Sequence, residues 1–490
     1  MAVIGAGLLG CFTARALTAL NIRVTVFEAR EDVCTGISKA NTGIIYTGSD
    51  TKPGTLKTQL CVRANRDFDR LCRELDVRFS RCGSLMVSFG PRADHVLQKK
   101  FNQGQANGVP GLELLCSEAV YAMESNLAPG VTSALYAPGT GTVDPWELCI
   151  AAYENAKDNG ADFRLSEEVT DIERNSNGYL LKTGAGCYSA RLVVNCAGLR
   201  SDTVRELVEK PRLRIFPTAA DYLVLDDAVS GFVKHIIFHE PEEKGKGLTL
   251  VPTVDGNLLV GPTARSRDSA PDWATSREGL AELKKLCAQV VPVLPMDQII
   301  CSFAALRPDP YAVREGVNGH WVREERSISN FTVLEENGLI SLLGIKTPGL
   351  TCCAELGNHV AELASRFLGN PGLNPNFNPN RRAIRRVHGL SEAERDALIR
   401  RSPEYGEIVC RCRDVTLGEI LEAIRRGAVT LDGVKRRTCS GMGRCQGARC
   451  MQVILEQLAQ AQELTPWQIT KDGASSKILT EGKTHGDGIL

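Results

Sequence analysis

Residues 1–28, MAVIGAGLLGCFTARALTALNIRVTVFE, decide the fold. Residues 1–4 read as an apolar strand, residues 8–20 follow a helical pattern, and residues 22–28 alternate as a second strand. Between strand and helix, Gly5, Gly7 and Gly10 keep the spacing GxGxxG. Gly5 permits a tight turn, Gly7 lets backbone approach a pyrophosphate, and Gly10 lets helix and strand pack closely. The helix start offers partial positive charge to phosphates, and Glu28, ending the second strand, is placed to accept from ribose hydroxyls. Strand, turn, helix and acid in register predict a Rossmann-type dinucleotide site. The first strand is short: either the chain starts a few residues into the fold or this strand is clipped.

Working outward, 490 residues at about 100–200 per domain imply two to four domains. With 43% hydrophobic and 24% charged residues, the chain is neither disordered nor fibrous. Lys+Arg and Asp+Glu both number 58, so there is no global basic field, and nucleic acid is not an expected partner. No run approaches the roughly 18 apolar residues of a membrane span. A glycine motif already at Gly5 leaves no room for a leader, so a cytoplasmic location is expected.

Strand patterns recur at residues 192–196, 222–225 and 258–260, among helical stretches such as 146–158 and 276–290. This alternation predicts an α/β and α+β composite. The GxG at Gly184–Gly186 has no helical pattern behind it. One fingerprint serves one cofactor, so reducing equivalents must come from a substrate or partner rather than from a second nucleotide site. Residues 371–380, PGLNPNFNPN, hold three prolines and four asparagines and read as a linker and domain boundary. Beyond it, Ser391-x-x-Glu394 and Thr416-x-x-Glu419 are capping boxes opening two helices, and residues 471–490 read as a polar tail.

Further motifs resemble a family. Residues 40–45 (ANTGII) and 52–57 (KPGTLK) resemble the flavin loop of FAD-dependent oxidoreductases of the D-amino-acid oxidase and glycerol-3-phosphate dehydrogenase superfamily. GTVDP at 141–145, VVNCAG at 193–198 and GIKTPGLT at 344–351 resemble that superfamily's helix entry, second FAD-contacting strand end and closing motif. The resemblance covers residues 1–370. It implies FAD held by Gly5, Gly7, Gly10, Glu28, Asn41, Thr42, Gly43, Val169, Ala197, Gly198, Gly344, Gly349, Leu350 and Thr351. It also implies a Rossmann-type FAD-binding domain (about 1–85, 140–210 and 325–370) interleaved with a mixed-sheet substrate domain (about 86–139 and 211–324).

Of 18 cysteines, thirteen are scattered between Cys11 and Cys353, while five crowd into residues 410–450. Cys410-x-Cys412, 32 residues, then Cys445-x4-Cys450 supplies four thiolates, the count of a [2Fe–2S] cluster. Zinc also accepts four thiolates, although CxC is less usual for it than CxxC. IVCRC at 408–412 and GMGRCQG at 441–447 resemble the bacterioferritin-associated-ferredoxin-like domain appended to bacterial glycerol-3-phosphate dehydrogenase subunits. That implies a small helical [2Fe–2S] domain at 401–465, with Cys439 a bystander, residues 371–400 a linker and helix, and 466–490 a tail. From Arg381 to Cys450 there are 16 Lys+Arg against 9 Asp+Glu. That excess is either a solvated face or cationic support for an anionic cluster and an acidic partner. A flavin beside a one-electron centre argues for a dehydrogenase wired to a second flavoprotein or iron–sulfur electron-transfer subunit, through which it could associate peripherally with a membrane.

The substrate pocket is less legible. Arg307, within AALRP at 304–308, matches the position where the family binds a substrate's carboxylate or phosphate. Tyr46 stands where the family often has histidine, so it either hydrogen-bonds substrate or packs; Lys346 either adds charge at the flavin edge or is an exposed helix-start residue. His235 and His239 are either a base or structural. Thr218-Ala219-Ala220-Asp221 replaces the basic start of a substrate-domain strand, which leaves the substrate open. Residues 43–87 are most similar to L-2-hydroxyglutarate dehydrogenases, whereas the cluster domain points to the glycerol 3-phosphate type. Both oxidise a small anionic secondary alcohol. An amino acid such as proline or glycine, or a non-catalytic electron-transfer role, are the other readings.

Overall fold

The structure, a computed structural model, describes residues 1–239, 247–266, 273–316 and 320–480. The chain divides into two compact units, Met1–Ala29 with Val33–Arg382, and Arg30–Asp32 with Ala383–Leu490.

In the first unit, the strand Ala2–Ile4 sits inside a six-stranded sheet, hydrogen-bonded in parallel to Thr25–Phe27 on one side and Val193–Asn195 on the other. Its three residues are buried, which is why the segment is apolar throughout rather than alternating. Parallel neighbours need a crossover, and the helix Leu8–Thr18 provides it, burying Cys11, Phe12, Ala14 and Leu17 against helices Pro145–Asp158 and Cys353–Leu368. Asp144 caps the first of these by accepting from the backbone N–H groups of Trp146 and Glu147. Gly184–Gly186 turns the hairpin between strands Gly178–Thr183 and Gly186–Ala190, so it forms no second nucleotide loop.

A ten-stranded mixed sheet and two three-stranded sheets complete the strands of this unit. The backbone of the ten-stranded sheet is the long antiparallel ladder of Leu213–Leu225 with Ile299–Glu315, which sets Arg307 opposite Thr218, Ala305 opposite Ala220 and Phe303 opposite Tyr222. Residues 222–225, read as a strand from sequence, are thus the end of one thirteen residues long.

Residues 371–380 are irregular, but they are not a free tether. Asn374 donates through its backbone and side chain to the carbonyls of Ala19 and Thr18, at 2.9 Å each. Asn155 donates to the carbonyls of Asn378 and Asn380, and Arg381 pairs with the buried Glu154 at 2.6 Å. Proline denies this segment a ladder, and asparagine amides satisfy its backbone instead. The change of unit comes after it, at Arg382.

The second unit is small and largely helical, with a two-stranded ribbon of Ile408–Cys410 and Val415–Thr416. Both expected capping boxes form: Ser391 and Thr416 each accept from the third helical N–H and receive the glutamate in return. Of the polar tail, residues 471–480 are described, and the remainder lies outside the described residues.

Candidate functional site: a nucleotide cradle, an anion recess and a four-cysteine centre

The glycine loop is fixed by close approach. A Cβ on Gly10 would stand 1.8 Å from the carbonyl oxygen of Gly5, and Gly5 itself has φ +97°. Glu28 accepts from the backbone N–H of Ala6 at 2.7 Å, which ties the end of the second strand to the loop. Leu8 donates to Ser38 Oγ at 2.9 Å, while the N–H groups of Gly7, Leu9 and Gly10 have no acceptor among the described residues. Unpaired donors at a helix start are the chemistry a pyrophosphate requires. Gly10→Ala is therefore expected to yield folded protein without flavin absorbance; retention of stoichiometric FAD would contradict this reading of the loop.

The other motifs gather at the same sheet. Asn41 donates to the carbonyl of Ser38 and accepts from Gly43, folding the loop on itself at 2.8 Å for both bonds. Thr351 accepts from the Tyr46 N–H at 3.0 Å and donates to the Ile44 carbonyl, which joins the closing motif to the flavin loop. Gly344 and Gly349 lie in the segment leading from strand Leu339–Leu343 to helix Cys353–Leu368, and Leu350 packs on the nucleotide-domain core. Ala197 donates to the side chain of Asn195, and Gly198 begins a short helical turn at the end of Val193–Asn195. Val169 opens the strand Val169–Asn175 and packs with Ile4 and Phe27.

The long ladder builds the recess. Side chains alternate across a strand, so Phe303, Ala305, Arg307 and Asp309 share one face with Tyr222, Ala220 and Thr218 opposite the first three. Tyr222 and Phe303 stack with centroids 4.9 Å apart, and Ala40, just before the flavin loop motif, packs on Ala220, Tyr222 and Ala305. Ala220 and Ala305, both small and buried, lie between the aromatic pair and Arg307. Arg307 is half-buried and has no carboxylate partner among the described residues.

Tyr46 stacks on Phe238 and contacts Thr42 through its hydroxyl. Burial pushes its phenol pKa well up, with Tyr222 adding to the rise and Arg307 opposing it. Burial pushes Tyr222 up to about 12, again against Arg307. Both phenols stay protonated at neutral pH, so each is a hydrogen-bond donor rather than a base. Lys346 is neither exposed nor free: its ammonium donates to Asp309 Oδ1 at 2.6 Å and to Ser327 Oγ at 3.2 Å.

Strand parity removes both histidines from the recess. In Ile236–His239, Ile236 and Phe238 face the Tyr46 cluster, so residues 235 and 239 point to the other side. There His235 shares a hydrogen bond with the buried Glu124 at 2.8 Å, and His239 lies against Phe89. Asp221 also faces away; it is fully buried and bound by Arg265 and by Ser276 Oγ, so the departure at 218–221 supplies a structural clamp plus the small Ala220. Tyr222 and Asp309 are the recess residues that sequence reading missed. Asp309 follows Arg307 by two residues on the same strand, whereas only the cross-strand register brings Tyr222 to that face.

In the second unit, the four cysteines form two pairs. Cys412 and Cys445 have sulfurs 3.6 Å apart, and Cys410 is hydrogen-bonded to Cys450. That bond, with backbone N–H groups of Gly441, Arg413 and Cys412, pulls Cys410 down to about 6, despite burial. Among the described residues, no three of these sulfurs lie mutually within 4.8 Å. A tetrahedral zinc site would bring all four to about 3.8 Å. Two separated pairs suit two irons, one pair on each. A Cβ on Gly443 would meet the Cys412 Cβ at 2.3 Å, so this glycine is dictated by the packing of the cysteine loops. Cys439 lies at the end of helix Leu431–Thr438, in contact with Arg386.

Residues 1–363 match the family described as FAD dependent oxidoreductase, and residues 408–460 match the BFD-like [2Fe-2S] binding domain. The chain is 39% identical to a glycerol 3-phosphate dehydrogenase from Caloramator mitchellensis over 98% of both chains. It is 30% identical to mitochondrial L-2-hydroxyglutarate dehydrogenase from Bos taurus, over 54% of this chain and 60% of that one. Among solved structures, FAD-bound L-alpha-glycerophosphate oxidase from Mycoplasma pneumoniae superposes with a TM-score of 0.68 at 23% identity, covering 78% of this chain and 97% of that chain. Glycerol-3-phosphate dehydrogenase from Bacillus halodurans gives 0.64 at 18% identity, covering 95% and 90%. No helix among the described residues is long and apolar enough to cross a membrane.

Proposed function

Because the chain belongs to the FAD dependent oxidoreductase family and carries a BFD-like [2Fe–2S] domain, we propose that it oxidises glycerol 3-phosphate and passes the electrons to a separate protein. The observation that carries the substrate assignment is the half-buried, carboxylate-free Arg307 at the edge of a recess walled by Tyr222 and Phe303. A guanidinium there binds a phosphate in bidentate fashion, and the Tyr46 and Tyr222 hydroxyls add neutral donors that do not compete for the anion's charge.

Bound FAD supplies a two-electron acceptor, and bound [2Fe–2S] a one-electron outlet. The protein's own contribution is to hold the alcohol and move its proton. Asp309 is on the same strand face as Arg307, and Lys346 keeps a positive charge beside it. Asp309 accepts the hydroxyl proton while the Lys346 ammonium stabilises the developing alkoxide. Asp309→Asn is expected to slow anaerobic flavin reduction about a hundredfold with little change in substrate Kd; an unchanged rate would remove Asp309 from the proton path.

The substrate assignment is tested by anaerobic addition of glycerol 3-phosphate, L-2-hydroxyglutarate, proline and glycine in turn. Flavin bleaching by glycerol 3-phosphate alone is the expected result. Bleaching only by L-2-hydroxyglutarate or an amino acid replaces the substrate. Bleaching by none of them, with reduction by a partner protein, makes the chain an electron-transfer subunit.

A further inference from the structure

The two cysteine pairs differ in exposure. Cys410 and Cys450 are 2% and 1% exposed, whereas Cys412 is exposed and Cys445 half-exposed. A four-cysteine centre built on these pairs has one buried side and one side open to solvent. The residues around the open side are unusually basic. Arg411 and Arg413 flank Cys412, Arg444 precedes Cys445, and Arg449 follows four residues later, with Asp414 the one acid in these two loops. Arg411 and Arg449 are exposed and have no ion pair among the described residues. Asp414 is turned to His388 at 3.4 Å.

Four arginines against one acid around the solvent-facing cysteine pair give this side a local positive field that the zero net charge of the chain does not predict. We propose that the Cys412/Cys445 side is the electron exit, and that Arg411 and Arg449 dock an acidic face of a one-electron carrier protein. The inference rests on the reading of this chain as a dehydrogenase wired to a partner. Tunnelling falls steeply with distance, so the carrier must approach the exposed pair. An anionic cluster alone would repel an acidic carrier, and the arginines reverse the local field. Each substrate molecule loses two electrons, so two carrier molecules are each reduced by one, and the two substrate protons are released to solvent.

The test uses dithionite-reduced holoenzyme, which makes it independent of the substrate, with cytochrome b5 as an acidic haem probe and cytochrome c as a basic one. Reoxidation by cytochrome b5 should be fast at low ionic strength and fall as salt rises, with the opposite or no trend for cytochrome c. Arg411→Glu with Arg449→Glu should slow reoxidation by cytochrome b5 about tenfold or more and weaken its Kd for the oxidised holoenzyme to a similar extent. The paired Arg→Lys variant should restore both. If the Glu variant loses its cluster, the salt trends of the wild-type protein and the Lys variant decide. Salt trends of the same sign for both probes, or a Glu variant with an intact cluster and unchanged Kd and rate, would overturn the proposal. Flavin bleaching by glycerol 3-phosphate in that same variant would show that the dehydrogenase reading survives.

Discussion

Cys445→Ser is expected to abolish the [2Fe–2S] absorbance and transfer to a protein acceptor, while FAD content and anaerobic bleaching by substrate persist. Cys445 belongs to the solvent-facing cysteine pair proposed as ligands, its sulfur 3.6 Å from Cys412. A serine hydroxyl is a far weaker, harder ligand for iron than a thiolate, and the remaining pair, Cys410 and Cys450, would hold one iron at most. FAD should be untouched, because the residues proposed to hold it, from the glycine loop to Thr351, belong to the first unit. Cys439→Ser is the matched control. Cys439 is the fifth cysteine of the same 41-residue crowd and contacts Arg386; it belongs to neither proposed pair, so its removal should leave the cluster spectrum unchanged. Loss of the spectrum in Cys439→Ser, or its retention in Cys445→Ser, would redraw the ligand set.

Arg307→Ala should have the largest effect on substrate handling. Charge-assisted hydrogen bonds contribute about 1.5–3 kcal/mol each, so losing a bidentate pair predicts a fall in kcat/KM of about 10³-fold, mostly in KM. Arg307→Lys keeps the charge but not the fork and should recover only part of this. The decisive comparison is glycerol, which lacks the phosphate. Wild-type enzyme should be poor on glycerol, and Arg307→Ala should make it no poorer, because the interaction is already missing. An equal loss on both substrates would mean that Arg307 supports the fold rather than the anion.

The legible parts of the protein are those where chemistry acts through local spacing. Gly5 and Gly10 are dictated by a backbone contact five residues apart, so three glycines announce the nucleotide loop. The cysteine spacing announces its centre because Cys410 with Cys412 and Cys445 with Cys450 are close in sequence, although the structure pairs them across the two loops. The recess was not legible in the same way. Tyr222 comes to the face of Arg307 only through a ladder joining residues some 90 apart, and no local pattern reports that register. The same ladder sets Ala220 opposite Ala305, unremarkable as letters, between the aromatic pair and Arg307. Parity favours the structural reading of the histidines, since one residue's shift along a strand changes its face. The stretch at 371–380 misled in another sense: its composition forbids regular structure, as expected, but the asparagines hydrogen-bond to the helices Leu8–Thr18 and Pro145–Asp158 or residues just beyond them.

The central claim is that one chain takes two electrons from glycerol 3-phosphate and makes them available singly at its cysteine centre. Anaerobic mixing of the holoenzyme with glycerol 3-phosphate, followed by optical and electron paramagnetic resonance spectra, tests it most directly. The expected result is flavin bleaching together with the resonance of a reduced [2Fe–2S] cluster, with the resonance absent in Cys445→Ser and the bleaching retained. A flavin that stays oxidised, or a cluster that stays silent while the flavin bleaches, would contradict it.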